Sequence, residues 1–270
     1  RFGSGVRRIC SAGKALWWLV TPELVKRIAA GIVLILLAGL ELWLGGTALW
    51  VFATLISLVM MYEWVGLTGE ASQRRYAQYA LCIPLALLSP LAAGPSLITA
   101  LAFAAVALGL LLTTRNLWLA GGAVYIGLPI FALLWVRAQD NGLLLAFWAL
   151  SLVWVTDIGA FFAGRSFGGP KLAPKISPNK TWSGLIGGML AALLLGWGLT
   201  SYWGLPFELA MISPALAVLA QMGDFFESWL KRRAGVKDSG TLIPGHGGVL
   251  DRLDGVVPSL PIAALIKIGR

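Results

Sequence analysis

The sequence predicts an all-α, polytopic transmembrane helical bundle of about 8–9 spans with a cytoplasmic N-terminus. Three observations carry that prediction. First, 58% of residues are hydrophobic and only 12% charged, with a mean hydropathy of +0.82. Soluble domains carry about 25% charged residues, so this balance marks an integral membrane protein. Second, apolar runs long enough to cross a bilayer as helices are separated by short polar loops, and the strict alternation of outer-membrane barrel strands is absent. Third, the cations fall into alternate loops. If the N-terminus is inside, all but three of the 21 Lys and Arg lie in cytoplasmic segments, the exceptions being Arg137, Lys267 and Arg270. That is the positive-inside pattern. It also accounts for the net charge of +9 without a nucleic-acid partner, and none is expected.

In chain order, residues 1–27 form a basic cytoplasmic or interfacial segment with Phe2, Trp17 and Trp18 among its cations. Thr21-Pro22-Glu23 resembles a helix start, with Thr as N-cap and Pro at the first helical position. Residues 28–140 hold the N-terminal spans and 141–270 a C-terminal catalytic region. Spans are expected at roughly 28–44, 46–66, 77–93, 96–113, 117–136, 143–163, 182–203 and 207–229, with a shorter last segment at 255–268 that either crosses or re-enters. Gly45-Gly46 makes the first turn, and Pro84 and Pro90 are expected to kink the third span. Cys10 and Cys82 read as small apolar fillers.

Four acids fall in or near apolar runs: Glu41, Glu63, Asp157 and Asp224. Ionisable groups inside a membrane are costly and mark function by default. Glu41 lies near the outer end of its span, where it reaches water. Glu63 lies near an inner end and is ambiguous. Asp157 and Asp224 each sit within about two turns of a cytoplasmic end. On the last long span Asp224, Glu227 or Ser228, and Lys231 follow at helical steps and share a face. Asp157 has a plain alternative, pairing with Arg165 or Lys180.

Two polar segments follow these acids. The loop 164–181 combines Gly164, Gly168 and Gly169, three prolines, and Lys171, Lys175 and Lys180. Thr181 or Ser183 is expected to cap the next span, placing a helix N-terminus beside the lysines, an arrangement that suits phosphate. It is not a Walker A sequence. The loop 230–254 holds Lys231, Arg232, Arg233, Lys237, Asp238, Asp251, Arg252, Asp254 and the only histidine, His246. Glycines 245, 247 and 248 flank that histidine and can turn backbone N–H groups toward an anion. Asp224 and Asp251 come from separate segments and can converge on one cation. Oxygen ligands suit Mg²⁺, whereas one histidine and no nearby cysteine argue against zinc. Taken alone, His246 reads better as a hydrogen-bonding residue than as a catalytic base.

Residues 228–254 match the signature S-x-apolar-K-R-x4-K-D-x-small-x2-apolar-P-x-H-G-G-apolar-x-D-R-apolar-D. They do so through Ser228, Leu230, Lys231, Arg232, Lys237, Asp238, Gly240, Ile243, Pro244, His246, Gly247, Gly248, Val249, Asp251, Arg252, Leu253 and Asp254. The stretch resembles phosphatidate cytidylyltransferases (CDP-diglyceride synthetases). Gly164-Arg165, the ISPNKT run at 176–181 and Gly223-Asp224 resemble that family too, so the likeness covers about 150–260. The first 140 residues are similar only in being apolar spans.

The resemblance implies that CTP and phosphatidic acid give CDP-diacylglycerol and pyrophosphate. It implies a metal site at Asp224 and Asp251, with Mg²⁺ and K⁺ as a second ion; beside them Lys231, Arg232 and His246 are expected as catalytic residues that receive the CTP phosphates. Asp157, Lys175, Ser177, Asn179, Lys180, Thr181, Lys237, Asp238, Gly247, Gly248, Arg252 and Asp254 are the expected substrate-binding residues. The expected setting is a homodimer among the lipids of a bacterial inner membrane, active on the cytoplasmic face. Two other readings compete on the residues alone. A CTP-dependent polyprenol kinase needs the same cations but also a base for its alcohol acceptor. A transporter places its acids near the midplane, not toward one face.

Overall fold

The computed structural model describes residues 22–69, 71–240, 242 and 247–268. Ten helices and one hairpin account for most of them: α1 (Pro22–Leu44), α2 (Gly46–Thr68), α3 (Arg74–Leu87), α4 (Leu97–Thr114), α5 (Leu117–Arg137), α6 (Gly142–Phe167), β1 (Lys171–Ala173), β2 (Ser177–Thr181), α7 (Trp182–Trp203), α8 (Phe207–Arg233), α9 (Leu250–Leu253) and α10 (Val256–Ile268). A one-turn 3₁₀ helix, Ala71–Gln73, precedes α3. Among the described residues, six helices are long and apolar enough to cross a membrane: α2, α4, α5, α6, α7 and α8. The N-terminal basic segment lies outside the described residues, apart from Pro22 onward.

The third expected span is corrected. Its helix starts three residues earlier than expected and stops at Leu87, so Pro90 lies in a turn and kinks nothing. Ser89 organises that turn, accepting from Leu91 N through its hydroxyl and from Ala92 N and Gly94 N through its carbonyl. At 14 residues, α3 is about 21 Å long. It nevertheless runs antiparallel to α4, because Tyr76 near its start meets Thr113 near the end of α4 at 3.0 Å.

Side-chain ties show which helix ends share a face. At one face, Trp64 of α2 donates to the Trp118 carbonyl of α5 at 2.8 Å. Arg233 at the end of α8 lies over the Trp118 ring at 4.6 Å, and Arg74 lies over Tyr62 at 3.9 Å. At the other face, Arg137 ends α5 and donates from Nε to the Leu42 carbonyl at 2.8 Å, and from Nη2 to Trp43 at 3.2 Å. Those are orphan carbonyls of the last turn of α1, which a cation satisfies. Arg137, one of the three exceptions to the charge pattern, therefore has a structural task of its own.

The core runs through α2, α5, α6, α8 and α10, with Met61, Val65, Ile126, Leu152 and Leu260 all nearly inaccessible. By contrast α4 shows Leu97, Leu101, Leu108 and Leu112 on its outside, the apolar surface a lipid-facing helix requires. The α6–α7 seam is built from small residues. A Cβ on Gly188 would lie 2.9 Å from the Thr156 carbonyl oxygen, and one on Gly184 3.0 Å from that of Ala160. Such a seam lets two backbones approach closely in a membrane. α10 is short but not peripheral: it packs among α5, α6 and α8 and buries Val256, Val257, Leu260, Ala263 and Ala264.

Candidate active site

The hairpin was not foreseen; the sequence suggested only a stiffened loop. β1 and β2 pair antiparallel, Lys171 with Thr181 and Ala173 with Ser177. Lys175 sits exposed in the connection between the strands. Thr181, the expected cap, ends β2 and accepts from Gly184 N at 3.1 Å, so it caps α7 and is itself buried. With strand periodicity, Ser177, Asn179 and Thr181 share one face and Lys180 takes the other.

That placement sends Lys180 across to α8. Its ammonium pairs with Asp224 Oδ2, donates to Gln221 Oε1 at 2.8 Å, and lies 4.7 Å from the centre of the Phe225 ring. Gln221 in turn donates to Asp157 Oδ1 at 3.2 Å. Asp157 is thus linked to Lys180 through an amide rather than by the direct pairing the sequence suggested. Ser228 Oγ donates to Asp224 Oδ1 at 3.2 Å, which fulfils the expected helical face.

A second lysine–carboxylate group lies about two turns on along α8. Lys231 Nζ contacts Asp251 Oδ1 at 2.5 Å and Glu227 Oε1 at 3.1 Å. The other oxygen of Asp251 takes three donors: Ser239 N at 2.9 Å, Ser239 Oγ at 3.0 Å and Gly248 N at 2.8 Å. Burial disfavours the charge on Asp251, but hydrogen bonding with Glu227, Lys231, Gly248 and Ser239 outweighs it and holds the carboxyl down at about 2. Glu227 is 1% exposed.

Sequence reasoning passed over two parts of this group. Ser239 is a spacer position in the signature, yet it reaches both Asp251 and Glu63. Glu63, left ambiguous, accepts from Ser239 Oγ at 3.1 Å, Val249 N at 3.0 Å and Leu250 N at 2.8 Å. The available signal was an acid at the inner end of an apolar run. Its partners lie more than 170 residues away, which no spacing discloses.

Arg232, Lys237, Asp238 and Arg252 are exposed around these groups, and Gly247 carries φ +81°, a conformation that favours glycine. A Cβ there would lie 2.7 Å from Asp251 Oδ2. Gly248 is buried. His246 lies outside the described residues. Among the described residues no three His, Cys, Asp or Glu side chains are grouped as a ready-made metal site.

Asp254 follows α9, and burial together with Asp224 and Asp157 pushes it up to about 7. The ordinary value is 3.8. Between about pH 4 and 7 the folded chain therefore keeps a proton that the unfolded chain releases. Stability falls as pH rises through that window, by at most about 1.4 kcal/mol per pH unit. In EDTA and detergent, the thermal midpoint should decline from pH 5 to 7, and Asp254→Asn should flatten the decline. An equal slope in the variant would assign the titration elsewhere.

The arrangement is two lysine–carboxylate groups at one face, beside a capped helix N-terminus, in segments that also carry the exposed cations Arg232, Lys237 and Arg252. It suits binding of polyphosphate with a cation. Comparison with known proteins identifies a family. Residues 25–268 match the model of a cytidylyltransferase family. Phosphatidate cytidylyltransferases of Brucella suis and Brucella abortus are each 40% identical over 259 residues, covering 91% of this chain and 93% of theirs. That of Rickettsia felis is 41% identical over 157 residues, covering 54% of this chain and 69% of its own. The matches span the N-terminal helices as well as the polar loops, and on them this chain belongs to the cytidylyltransferase family.

Proposed function

We propose that the chain is a phosphatidate cytidylyltransferase: a phosphate oxygen of phosphatidic acid bonds to the α-phosphorus of CTP, the bond to the β-phosphate oxygen breaks, and pyrophosphate leaves with that electron pair. The observation that carries the proposal is the pair of lysine–carboxylate groups at one helix-end face of an apolar bundle, in a chain 40% identical over nearly its whole length to enzymes of that name. The attacking oxygen is already anionic, because the second pKa of a phosphate monoester is about 6. No strong base is required, which sets the reaction apart from that of a polyprenol kinase. The difficulty is to bring two polyanions together, and fixed cations meet it.

Lys180, Lys231, Arg232, Lys237 and Arg252 are the residues we assign to the phosphates, with the amides around Gly247 and Gly248. Lys175, Ser177 and Asn179 are assigned to substrate from the hairpin, and Asp157, Asp238, Asp254 and Thr181 to the support of those contacts. Mg²⁺, with K⁺ as a second ion, fits the oxygen chemistry of Asp224 and Asp251: each carboxylate already faces an ammonium, the place a metal cation would take. When bound, Mg²⁺ would supply charge neutralisation at the phosphates. The clustering of cationic loops supports an active site on the cytoplasmic face of a bacterial inner membrane. A homodimer remains the proposed assembly.

The test is transfer of label to phosphatidic acid from purified enzyme in detergent. Label from α-³²P-CTP should enter the lipid and label from γ-³²P-CTP should not. The reverse result would make the chain a kinase. Within this reading, Lys180→Ala should raise the KM for CTP or for phosphatidic acid about tenfold, a loss of about 1.4 kcal/mol of binding. Unchanged KM values for both substrates would remove the hairpin from the site.

A further inference from the structure

Glu63 belongs to α2, in the half of the chain where the signature has no part. The residue is 3% exposed, near the end of a membrane helix. A charge in such a place is retained only when its oxygens are satisfied. Three donors from the signature segment meet it. Oε1 accepts from Val249 N at 3.0 Å; Oε2 accepts from Leu250 N at 2.8 Å and from Ser239 Oγ at 3.1 Å. The fit leaves little room for a side chain at the neighbouring glycines. A Cβ on Gly240 would lie 2.5 Å from Glu63 Oε1, and one on Gly248 2.6 Å from Oε2.

The same segment also serves Asp251, through Ser239 N, Ser239 Oγ and Gly248 N, so that Ser239 is common to the two carboxylates. Ser239 Oγ lies within bonding distance of both carboxylates. Glu63 therefore grips the segment from the bundle side at the point where Asp251 grips it from within. Residues 239 and 248–250 are held against α2, and Asp251 is left facing Lys231.

We propose that Glu63 is a positioning residue for this catalytic segment: it anchors residues 239–240 and 248–250 to α2 and so fixes Asp251 opposite Lys231. The proposal rests on the reading of Asp251 and Lys231 as active-site residues. It makes the second span part of the machinery without bringing it to the substrate. A carboxylate is needed because each oxygen faces donors. The amide of glutamine would turn an NH₂ group toward either Val249 N or the pair at Oε2.

The experiment uses the full chain in detergent with Glu63→Gln, Glu63→Asp and Gly240→Ala. Ser57→Ala on the same helix is the control, since Ser57 is buried and its hydroxyl donates to the Ala53 carbonyl of its own helix. Glu63→Gln should lower kcat by about 10–100-fold, the range for outer partners of catalytic ligands. Amides 249 and 250 should exchange hydrogen faster, with the exchange of α5 and α8 unchanged. Gly240→Ala, which displaces the same carboxylate by a different route, should reproduce both effects, and Glu63→Asp should restore part of kcat.

A Glu63→Gln enzyme with wild-type kcat would overturn the proposal. So would loss of activity with amides 249 and 250 still protected, or a loss matched by unfolding of the whole bundle in Glu63→Gln and absent in Gly240→Ala. If Asp251→Asn retained turnover while Glu63→Gln did not, the assignment of Asp251 would fail and the anchoring of the segment would stand.

Discussion

Asp251→Asn should abolish turnover and also lower the thermal midpoint. The carboxylate is the hub of a buried pair: side-chain exposure is 6% for Asp251 and 13% for Lys231. Removing one partner of a buried pair costs about 3–5 kcal/mol when the other is left alone. Lys231 keeps Glu227 at 3.1 Å, so the low end of that range applies. Asn also loses acceptor capacity. Its NH₂ group must face either the Lys231 ammonium or the three donors now on Oδ2. The loop and the lysine are both released, and kcat should fall at least about 10²-fold. Assays run well below the lowered midpoint separate the two effects. Near-normal turnover would remove Asp251 from the chemistry. Lost turnover with an unchanged midpoint would show that the segment is held by other contacts.

The fold was legible where physics acts locally. Apolar length set the spans, and glycine and proline set several of their ends; Gly45, with φ +61°, turns α1 into α2 as expected. Thr181 was legible as a cap because capping is a matter of three residues. The third span misled because an apolar run is compatible with either a helix or a tight turn. Leu88 to Ala93 is apolar enough to read as a continuation of the helix, but the bonds to Ser89 make a turn there, and the pairing of Tyr76 with Thr113 shows that the chain turns back.

The site was legible as a set and not as a network. Lys180, Asp224, Lys231 and Asp251 were all identified from residue type and spacing. Their partnership was not, because Lys180 meets Asp224 only after β2 orients it, and Lys231 meets Asp251 only across a loop. Glu63 and Gln221 were beyond reach for the same reason. Each serves a partner fixed by tertiary packing, at separations of 187 residues for Glu63 to Leu250 and 64 for Gln221 to Asp157.

Asp224→Asn should behave differently from Asp251→Asn, although the two aspartates were assigned one role. Asp224 has a side chain 32% exposed, and that of its partner Lys180 is 19% exposed. An ion pair so open to solvent contributes about 0–1 kcal/mol. Lys180 also retains Gln221 at 2.8 Å and the Phe225 ring when the charge on Asp224 is gone. The thermal midpoint should therefore stay within a degree or two of wild type. What the substitution removes is the accessible anionic oxygen at which a hard cation is expected. Turnover should fall at least about 10²-fold, and residual activity should need a higher Mg²⁺ concentration for half-saturation. Binding of Mn²⁺, followed by its paramagnetic resonance, should weaken in step. Undiminished Mn²⁺ binding with lost turnover would make Asp224 a partner of Lys180 rather than a ligand. Retained turnover would remove Asp224 from the cation site.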